Sequence, residues 1–401
     1  MALNPEEFQQ KRLARQQQRQ AAQRKLRVRL ALIGVAVAVV AVIALLLVRK
    51  GGASNTPATT PPQNITTITV AAVGDVNITK RVVDSGSSRQ DYSEIFKDVS
   101  HLLSNPELTL MNLEGVASGP PYGESRSAPQ EFLDALKLAG VDGVQVANSY
   151  TIHDGIANFA STIAALNETG LLSLGAYPFS DEAHPYTVVE VQGIRIAIVA
   201  FTKGALGMEM LSKGNYGANT LYTDYTTFQK IDTDRINKIL AAIRKDKPDL
   251  TIAMVHWGSE YNDTISKTQD KIKDLLLKGG VNAVIGTHPH YVQEMSLNDK
   301  GQFVAYSLGD FLGDVPRSGT EYSLILNLTV EKNNDTGVTK ITGFDYTPTF
   351  IIHEEDQPLQ VVRLKEAITA YESGQLGRVN QTTYEAMKYA LTRVDARVAG
   401  K

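Results

Sequence analysis

Two histidines stand one residue apart in residues 286–293, which read GTHPHYVQ and follow the apolar run 281–285. The whole chain holds only seven histidines, so this pair needs an explanation. In an extended segment residues i and i+2 point the same way, and Pro289 restricts the backbone between them. The spacing predicts that His288 and His290 face one point, either as two metal ligands or as packed side chains.

Polar residues of the kind that bind metals also follow five other apolar runs, each of which is typical of a buried strand. These runs are 68–73, 108–111, 141–147, 250–255 and 303–307. In the same order, the polar residues that follow are Asp75; Asn112 and Glu114; Asn148; His256 and Glu260; and Asp310. Ligands of open α/β sheets bind where the carboxyl ends of strands meet, so we expect these side chains to share one crevice.

The residue types indicate which metals would suit such a crevice. Histidine with carboxylate suits Zn, Mn or Fe, whereas oxygen ligands alone would suit Mg or Ca. Two such ions ~3.5–4 Å apart activate a water and hold a phosphoryl or acyl group. Taken singly, several of the residues also have a structural interpretation as turn residues, helix caps or a packed histidine: Asp75 and Asp310, Asn112 and Glu114, and His256.

Composition narrows the classes of function. The net charge of −3 argues against nucleic acid as a partner, because nucleic-acid binders usually carry a basic excess. The chain has no cysteine, which excludes disulfides and thiolate metal sites. Histidine, aspartate, glutamate and asparagine are therefore the strong ligands that remain.

The elements that must position these residues have an α/β pattern, in which apolar runs alternate with helical stretches. A further strand is predicted at 194–201, and 322–331 and 339–350 are predicted as strands with no helix between them, so the sheet is expected to be mixed. Helices are predicted at 131–139, 157–166, 232–245 and 269–277. Residues 356–401 are predicted to form a helical C-terminal tail.

The N-terminal part predicts a single membrane anchor. Residues 30–48 carry no charge, and at ~1.5 Å per residue they nearly match the ~30 Å bilayer core. Residues 1–29 are strongly basic, which places them in the cytoplasm and the rest of the chain outside the cell. The alternative is a cleaved signal peptide, but its apolar region is normally ~7–15 residues and ends at a small-residue cleavage site. Residues 49–65 are predicted as a flexible linker to a domain at 66–355.

The order of the motifs resembles that of the bacterial capsule-synthesis CapA family, which includes anchored subunits of poly-γ-glutamate synthesis complexes. The shared motifs are GD, NLE, AN, HWGSEY, GTHPHYVQ and YSLGDF, and the resemblance spans residues 66–355. It implies a calcineurin-like metallophosphoesterase fold, a sandwich of mixed sheets flanked by helices. It also implies one or two divalent Mn, Zn or Fe ions, with ligands at Asp75, Asn112, Glu114, His256, His288 and His290. Asn148, Trp257, Glu260 and Asp310 would lie around them.

One motif departs from the family pattern, which usually reads Ala-Asn-Asn-His-x-x-Asp-x-Gly. In residues 147–155, Ser149 replaces the metal-binding asparagine, Tyr150 the histidine that protonates a leaving group, and His153 the aspartate. A hydroxyl is a poorer ligand than an amide, and a phenol with a pKa of ~10 is a weak acid near neutral pH. The candidate catalytic residues are Tyr150 and His153, which could reach the crevice instead. Asp310 also stands where the family usually has asparagine.

Two classes of function remain open. The protein is either a metal-dependent hydrolase or transferase acting on a surface polymer, or an accessory protein that binds metal or polymer without catalysis. In the second case it would assemble with a membrane-embedded polymer synthase or exporter. The surviving ligands could still hold one metal, with Asp75, His256 and His290 the preferred set. A surface phosphoesterase that scavenges nucleotides is a third interpretation, which HWGSEY disfavours.

Overall fold

Two β-sheets lie face to face in the computed structural model, which describes residues 64–153, 155–178, 185–204 and 216–400. The strands in chain order are β1 Ile65–Asn77, β2 Leu108–Glu114, β3 Gly143–Gln145, β4 Leu172–Leu174, β5 Ala176–Pro178, β6 Thr187–Val191, β7 Ile194–Thr202, β8 Tyr216–Ala218, β9 Leu250–His256, β10 Ala283–Thr287, β11 Met295–Leu297, β12 Phe303–Ala305, β13 Asp310–Leu312, β14 Tyr322–Asn333, β15 Thr339–Ile352 and β16 Gln360–Arg363.

Helices flank both sheets, and the first seven in chain order pack on the outer faces. In chain order they are α1 Lys80–Ser87, α2 Ser93–Phe96, α3 Ser100–Ser104, α4 Gln130–Ala139, α5 Ile156–Thr169, α6 Thr233–Asp246, α7 Lys267–Lys278, α8 Leu364–Glu372 and α9 Gln381–Val398. Helix α7 begins with a capping box formed by Ser266 and Gln269, and the side chain of Asp232 caps α6.

Both large sheets are mixed, as the sequence predicts. The first has the strand order β16-β15-β14-β1-β2-β3-β4, with β13 also paired to β1. Its strands from β1 to β4 run parallel, whereas β14, β15 and β16 pair antiparallel. The second has the order β11-β12-β10-β9-β7-β6, with a parallel centre and antiparallel edges. Strands β5 and β8 form a separate pair.

Alternation of side chains along the strands explains the layers. In β7, Ile196 and Ile198 enter the core between the sheets, whereas Val199 and Phe201 face the helices α6 and α7. Successive strand residues point to opposite faces, so a strand that is apolar at every position must be covered on both sides. The parallel parts of the two sheets therefore bring several strand carboxyl ends to neighbouring positions, which is where the polar residues lie.

The predicted helices and strands are present, with ends shifted by a few residues. The segment 356–401 is helical in α8 and α9, as predicted. It also adds β16 to the edge of the first sheet, and apolar side chains of both helices join the core between the sheets. This segment belongs to the compact unit formed by Gln63–Lys401.

Within the described ranges, no helix has the length and apolar character needed to cross a membrane. The predicted anchor at 30–48 and the basic segment 1–29 lie outside the described residues, as does the linker 49–65 up to residue 63. The first strand begins at Ile65, one residue before the predicted start of the domain.

Candidate metal centre

The polar residues at the strand ends come together in one buried site. The first sheet supplies Asp75 from β1, Asn112 and Glu114 from β2, and Asp310 from β13; the second supplies His256 from β9 and, directly after β10, His288 and His290. All seven side chains belong to residues that are no more than 6% exposed. The site therefore forms between the two sheets, at the ends that the sequence indicates.

The backbone of the HPH segment is not extended, so that part of the prediction is wrong. His288 and His290 have φ values of 93° and 60°, in the left-handed region that residues with a Cβ rarely adopt. Their rings nevertheless converge, with centroids 5.9 Å apart. Such backbone strain typically costs ~1–3 kcal/mol and is found at functional sites. Gly286 allows the close approach of this segment, since a Cβ there would lie 2.0 Å from the carbonyl oxygen of Tyr306.

The Glu114 cluster consists of Glu114, His256 and His288. One ligand atom from each residue lies within 4.8 Å of the others. His256 Nδ1 is 3.1 Å from Glu114 Oε1, and the rings of His256 and His288 have centroids 4.4 Å apart. Ser149 Oγ lies 3.0 Å from His256 Nε2, so the serine reaches the position where the family resemblance implies an asparagine ligand.

The Asp75 cluster consists of Asp75, His290 and Asp310, with the same mutual limit of 4.8 Å. His290 Nδ1 is 2.7 Å from Asp310 Oδ1 and 3.6 Å from Asp75 Oδ2. Asn77 Nδ2 donates to Asp310 Oδ1 at 3.0 Å, and the backbone N–H of His288 donates to Asp75 Oδ2 at 3.0 Å. Both carboxylates are thus held in place by donors from two segments.

Asn112 connects the two clusters. Its Nδ2 donates to Asp75 Oδ1 at 2.6 Å and to Glu114 Oε1 at 3.0 Å. Its Oδ1 accepts from Asn148 Nδ2 at 3.1 Å, and Asn148 also donates to the carbonyl of Leu113 at 2.6 Å. Asn148 thus lies behind Asn112, where it fixes the amide that separates the clusters.

Burial and the charges of neighbouring side chains shift the pKa values of the carboxylates and histidines in the site. Burial raises the pKa of Asp75 to about 6 and that of Glu114 to about 8, and the Asp75 charge adds to the latter shift. Burial opposes the charged form of His290, but Asp310, Asp75 and Glu114 together raise its pKa to about 10. Burial lowers the pKa values of His256 and His288, which favours the neutral imidazole that binds metals.

The residues present fit a divalent metal. His288 Nδ1 is buried and has no hydrogen-bond partner among the described residues, although such groups are usually satisfied. Three buried carboxylates, Asp75, Glu114 and Asp310, share the site with one imidazole whose pKa is raised, His290, so the buried acidic groups outnumber the cation among them and an added cation would relieve the burial of negative charge. Mixed imidazole and carboxylate ligands match the predicted choice of Mn, Zn or Fe.

Three of the remaining predicted site residues, Glu260, Tyr150 and His153, are more exposed than the residues of the two clusters. Glu260 is exposed, yet its carboxylate lies within 4.8 Å of ligand atoms of His288 and His290. Tyr150 and His153 contact each other edge to face, with ring centroids 5.5 Å apart, and both are partly exposed. Burial raises the pKa of Tyr150, which makes this phenol a still weaker acid.

Trp257 has a different role from the predicted one. Its side chain is fully buried between the second sheet and the helices on its outer face. The indole Nε1 donates to the carbonyl of Tyr306 at 2.9 Å, and the ring stacks on that of Tyr306. Trp257 is therefore a core residue that supports β9 from behind.

Lys203 and Tyr261 also border the site, although neither is among the residues predicted for it. Lys203 follows β7, and its Nζ lies 3.1 Å from His288 Nε2 and 3.1 Å from the carbonyl oxygen of Gly258. Tyr261, the last residue of HWGSEY, stacks on His290 with centroids 5.2 Å apart. The position of Lys203 at the end of a buried strand was a usable signal, since the same rule identified the other residues.

Comparisons with known proteins agree with these motifs. A sequence model described as "Bacterial capsule synthesis protein PGA_cap" matches residues 69–315. The chain is 25% identical over 305 residues to the capsule biosynthesis protein CapA of Bacillus anthracis, covering 74% of this chain and 72% of that one. It is 23% identical over 285 residues to the PGA biosynthesis protein CapA of Bacillus subtilis strain 168, covering 69% and 71%.

Among solved structures, the calcineurin-like phosphoesterase YfkN from Bacillus subtilis has a TM-score of 0.45 at 14% identity, covering 81% of this chain and 99% of that one. The family match extends over more than half of the chain and includes every residue of both clusters. The chain therefore belongs to the bacterial capsule synthesis protein family PGA_cap.

Proposed function

We propose that this protein is a membrane-anchored, metal-binding subunit in the synthesis or export of an anionic capsule polymer of the poly-γ-glutamate type. The observation that carries the proposal is the convergence of the Glu114 and Asp75 clusters in a family matched over residues 69–315. The two Bacillus relatives, which are named as capsule and PGA biosynthesis proteins, suggest the polymer class. The apolar segment 30–48 supplies the anchor, with the domain outside the cell.

In this proposal the Asp75 cluster and the Glu114 cluster each hold a divalent ion. When bound, such ions supply Lewis-acid polarisation and charge for anionic groups of the ligand. Asn112 keeps the clusters at a fixed separation through its bonds to Asp75 and Glu114. The domain would work together with membrane-embedded synthase or exporter subunits, which the anchor brings into the same membrane.

The site favours binding over hydrolysis. Tyr150 stands where the resemblance implies a proton donor, and burial raises its pKa further from neutrality. General acid catalysis commonly contributes ~10²–10⁴-fold, so its loss would leave turnover very slow. Ser149 reaches His256 but offers a hydroxyl in place of an amide oxygen.

A metal-dependent hydrolase or transferase is the second candidate. The close packing of His153 on Tyr150 favours it, because an imidazole near the mouth could take the missing role of proton donor. A His153→Gln variant separates the candidates. Under the binding proposal it leaves polymer output unchanged, whereas under the hydrolase proposal it lowers output at least tenfold.

The proposal is tested in cells that lack the chromosomal copy of this gene. The full-length native chain should restore surface poly-γ-glutamate, and the variant His288→Ala/His290→Ala should not. An exposed histidine provides the matched control, since His101→Ala should restore the polymer fully. Full restoration by the double variant would contradict a role for the metal centre.

The enzymology is tested separately with the purified full-length chain and a generic phosphodiester. Restoring Ser149→Asn together with Tyr150→His should create hydrolysis that the native chain lacks. Hydrolysis by the native chain at the same rate would contradict the binding role and support the second candidate.

A further inference from the structure

Two tyrosines at the mouth of the metal centre are each covered by an arginine. Arg126 Cζ lies 5.2 Å from the ring centroid of Tyr150, and Arg317 Cζ lies 4.4 Å from that of Tyr261. Both distances are within the ~6 Å range of a cation–π contact, which orients a guanidinium without neutralising it. Arg317 is exposed and Arg126 is partly exposed, so both groups are open to a ligand.

Each of these pairs stands beside one of the clusters. Tyr150 directly follows Ser149, which contacts His256 of the Glu114 cluster at 3.0 Å. Tyr261 stacks on His290 of the Asp75 cluster at 5.2 Å. The Arg126–Tyr150 and Arg317–Tyr261 pairs therefore border the same metal centre.

Charge at the mouth favours an anion. Among the described residues, the ion pairs made by arginines belong to Arg363 and Arg397, so neither Arg126 nor Arg317 is paired with a carboxylate. Lys203 adds a third cation against His288. Glu260, which directly precedes Tyr261, is the opposing charge.

We infer that Arg126 and Arg317 form an anion-binding site for carboxylates of a polycarboxylate chain that passes over the metal centre. A guanidinium presents a planar fork that matches a carboxylate with two parallel hydrogen bonds. Two such forks beside two separate clusters suit a chain that carries a carboxylate on every unit. The inference rests on the proposed function, which supplies the polymer class, and it assigns the residues that bind the carboxylates of the polymer.

The test measures binding of fluorescently labelled poly-γ-glutamate to the full-length chain in detergent, by anisotropy at low salt. Arg126→Gln and Arg317→Gln should each weaken binding about tenfold, since a hydrogen-bonded charge pair is lost. The double variant should weaken it further. Arg195→Gln is the matched control, because Arg195 is exposed at the opposite end of β7 and should bind as the native chain does.

Metal content, measured on the same samples, separates this inference from the proposed function. Arginine-dependent polymer binding with no bound metal would support the inference and contradict the metal centre. Native metal content with polymer binding that is equally tight in the double variant would overturn the inference alone. Polyphosphate of matched charge that binds as tightly as poly-γ-glutamate, with the same arginine dependence, would overturn the assignment to carboxylates.

Discussion

The Asp75 cluster and the Glu114 cluster meet at Asn112, but their ligands differ in charge. The Asp75 cluster has two carboxylates and one imidazole, and a donor from Asn77 holds Asp310. The Glu114 cluster has one carboxylate and two imidazoles, completed by the hydroxyl of Ser149. More carboxylates give tighter binding of hard divalent cations. This difference in charge predicts a tightly held ion beside a weakly held one.

The departures from the family pattern act in opposite directions on the two clusters. Asp310 stands where asparagine is usual, which adds a carboxylate to the Asp75 cluster. Ser149 stands where a ligating asparagine is usual, which removes an amide oxygen from the Glu114 cluster. We therefore expect about one tightly held ion per chain, in the Asp75 cluster, and a second that dissociates easily.

The largest effect should come from removing one carboxylate charge from each cluster in turn. Asp75→Asn should raise the dissociation constant of the tight ion by more than ~100-fold, because an anionic carboxylate ligand becomes a neutral amide. Glu114→Gln should leave the tight ion within about threefold and abolish the weak one. Isothermal titration of the metal-stripped full-length chain with Mn²⁺ or Zn²⁺ resolves both ions, with exposed Asp299→Asn as the control. Loss of the tight ion in Glu114→Gln alone would reverse the assignment.

Reverting the extra carboxylate should have the next largest effect. Asp310→Asn keeps the shape of the side chain but removes the charge that lies 2.7 Å from His290. The dissociation constant of the tight ion should rise about 10–100-fold, as it does when other groups that hold or orient a metal ligand are removed. The same titration measures it. An unchanged dissociation constant would show that Asp310 only orients His290.

Restoring the amide should strengthen the weak ion. Ser149→Asn places a carbonyl oxygen near His256, and about tenfold tighter binding corresponds to ~1.4 kcal/mol. Ser149→Ala is the matched control and should weaken the same ion slightly. If Ser149→Asn changes the affinity for the tight ion and leaves the affinity for the weak ion unaltered, Ser149 does not belong to the Glu114 cluster.

The smallest effect should come from Arg397 of the C-terminal helix α9, which packs against the segment that follows His290. Arg397 contacts the ring of Tyr291, which follows His290, and pairs with Asp263 at 3.1 Å. Asp263 is half exposed, so the pair contributes about 0.5–1 kcal/mol at most. Arg397→Ala should lower the free energy of unfolding by about that amount and weaken the tight ion by less than threefold. An equal effect of Arg393→Ala, a change at a neighbouring, partly exposed arginine, would remove any special role of Arg397.

Local features of the sequence made much of this site predictable. Apolar runs that end in Asp75, Glu114, His256 or His288 identify both a strand and its carboxyl end, and these features need no knowledge of distant residues. The same holds for the mixed sheets, since helices are missing between the strands near 322–350. The short helices α1 to α3 were not predicted, because helices of at most eight residues carry little periodic signal.

What could not be predicted depends on how the two sheets stack. The pairing of Glu114 with His256 joins strands β2 and β9 from different sheets, and no spacing in the chain encodes that distance. The left-handed backbone of His288 and His290 contradicted the extended geometry assumed for them. Trp257 follows a candidate ligand in the chain, but alternation along the strand directs it into the outer core.

The most direct test of the metal centre is elemental analysis of the purified full-length chain after extensive desalting. We expect about one Mn, Zn or Fe per native chain, retained in His101→Ala and absent from His288→Ala/His290→Ala. Circular dichroism on the same samples confirms that the double variant is folded. A folded double variant that keeps the native metal content would show that the metal is not bound at His288 and His290.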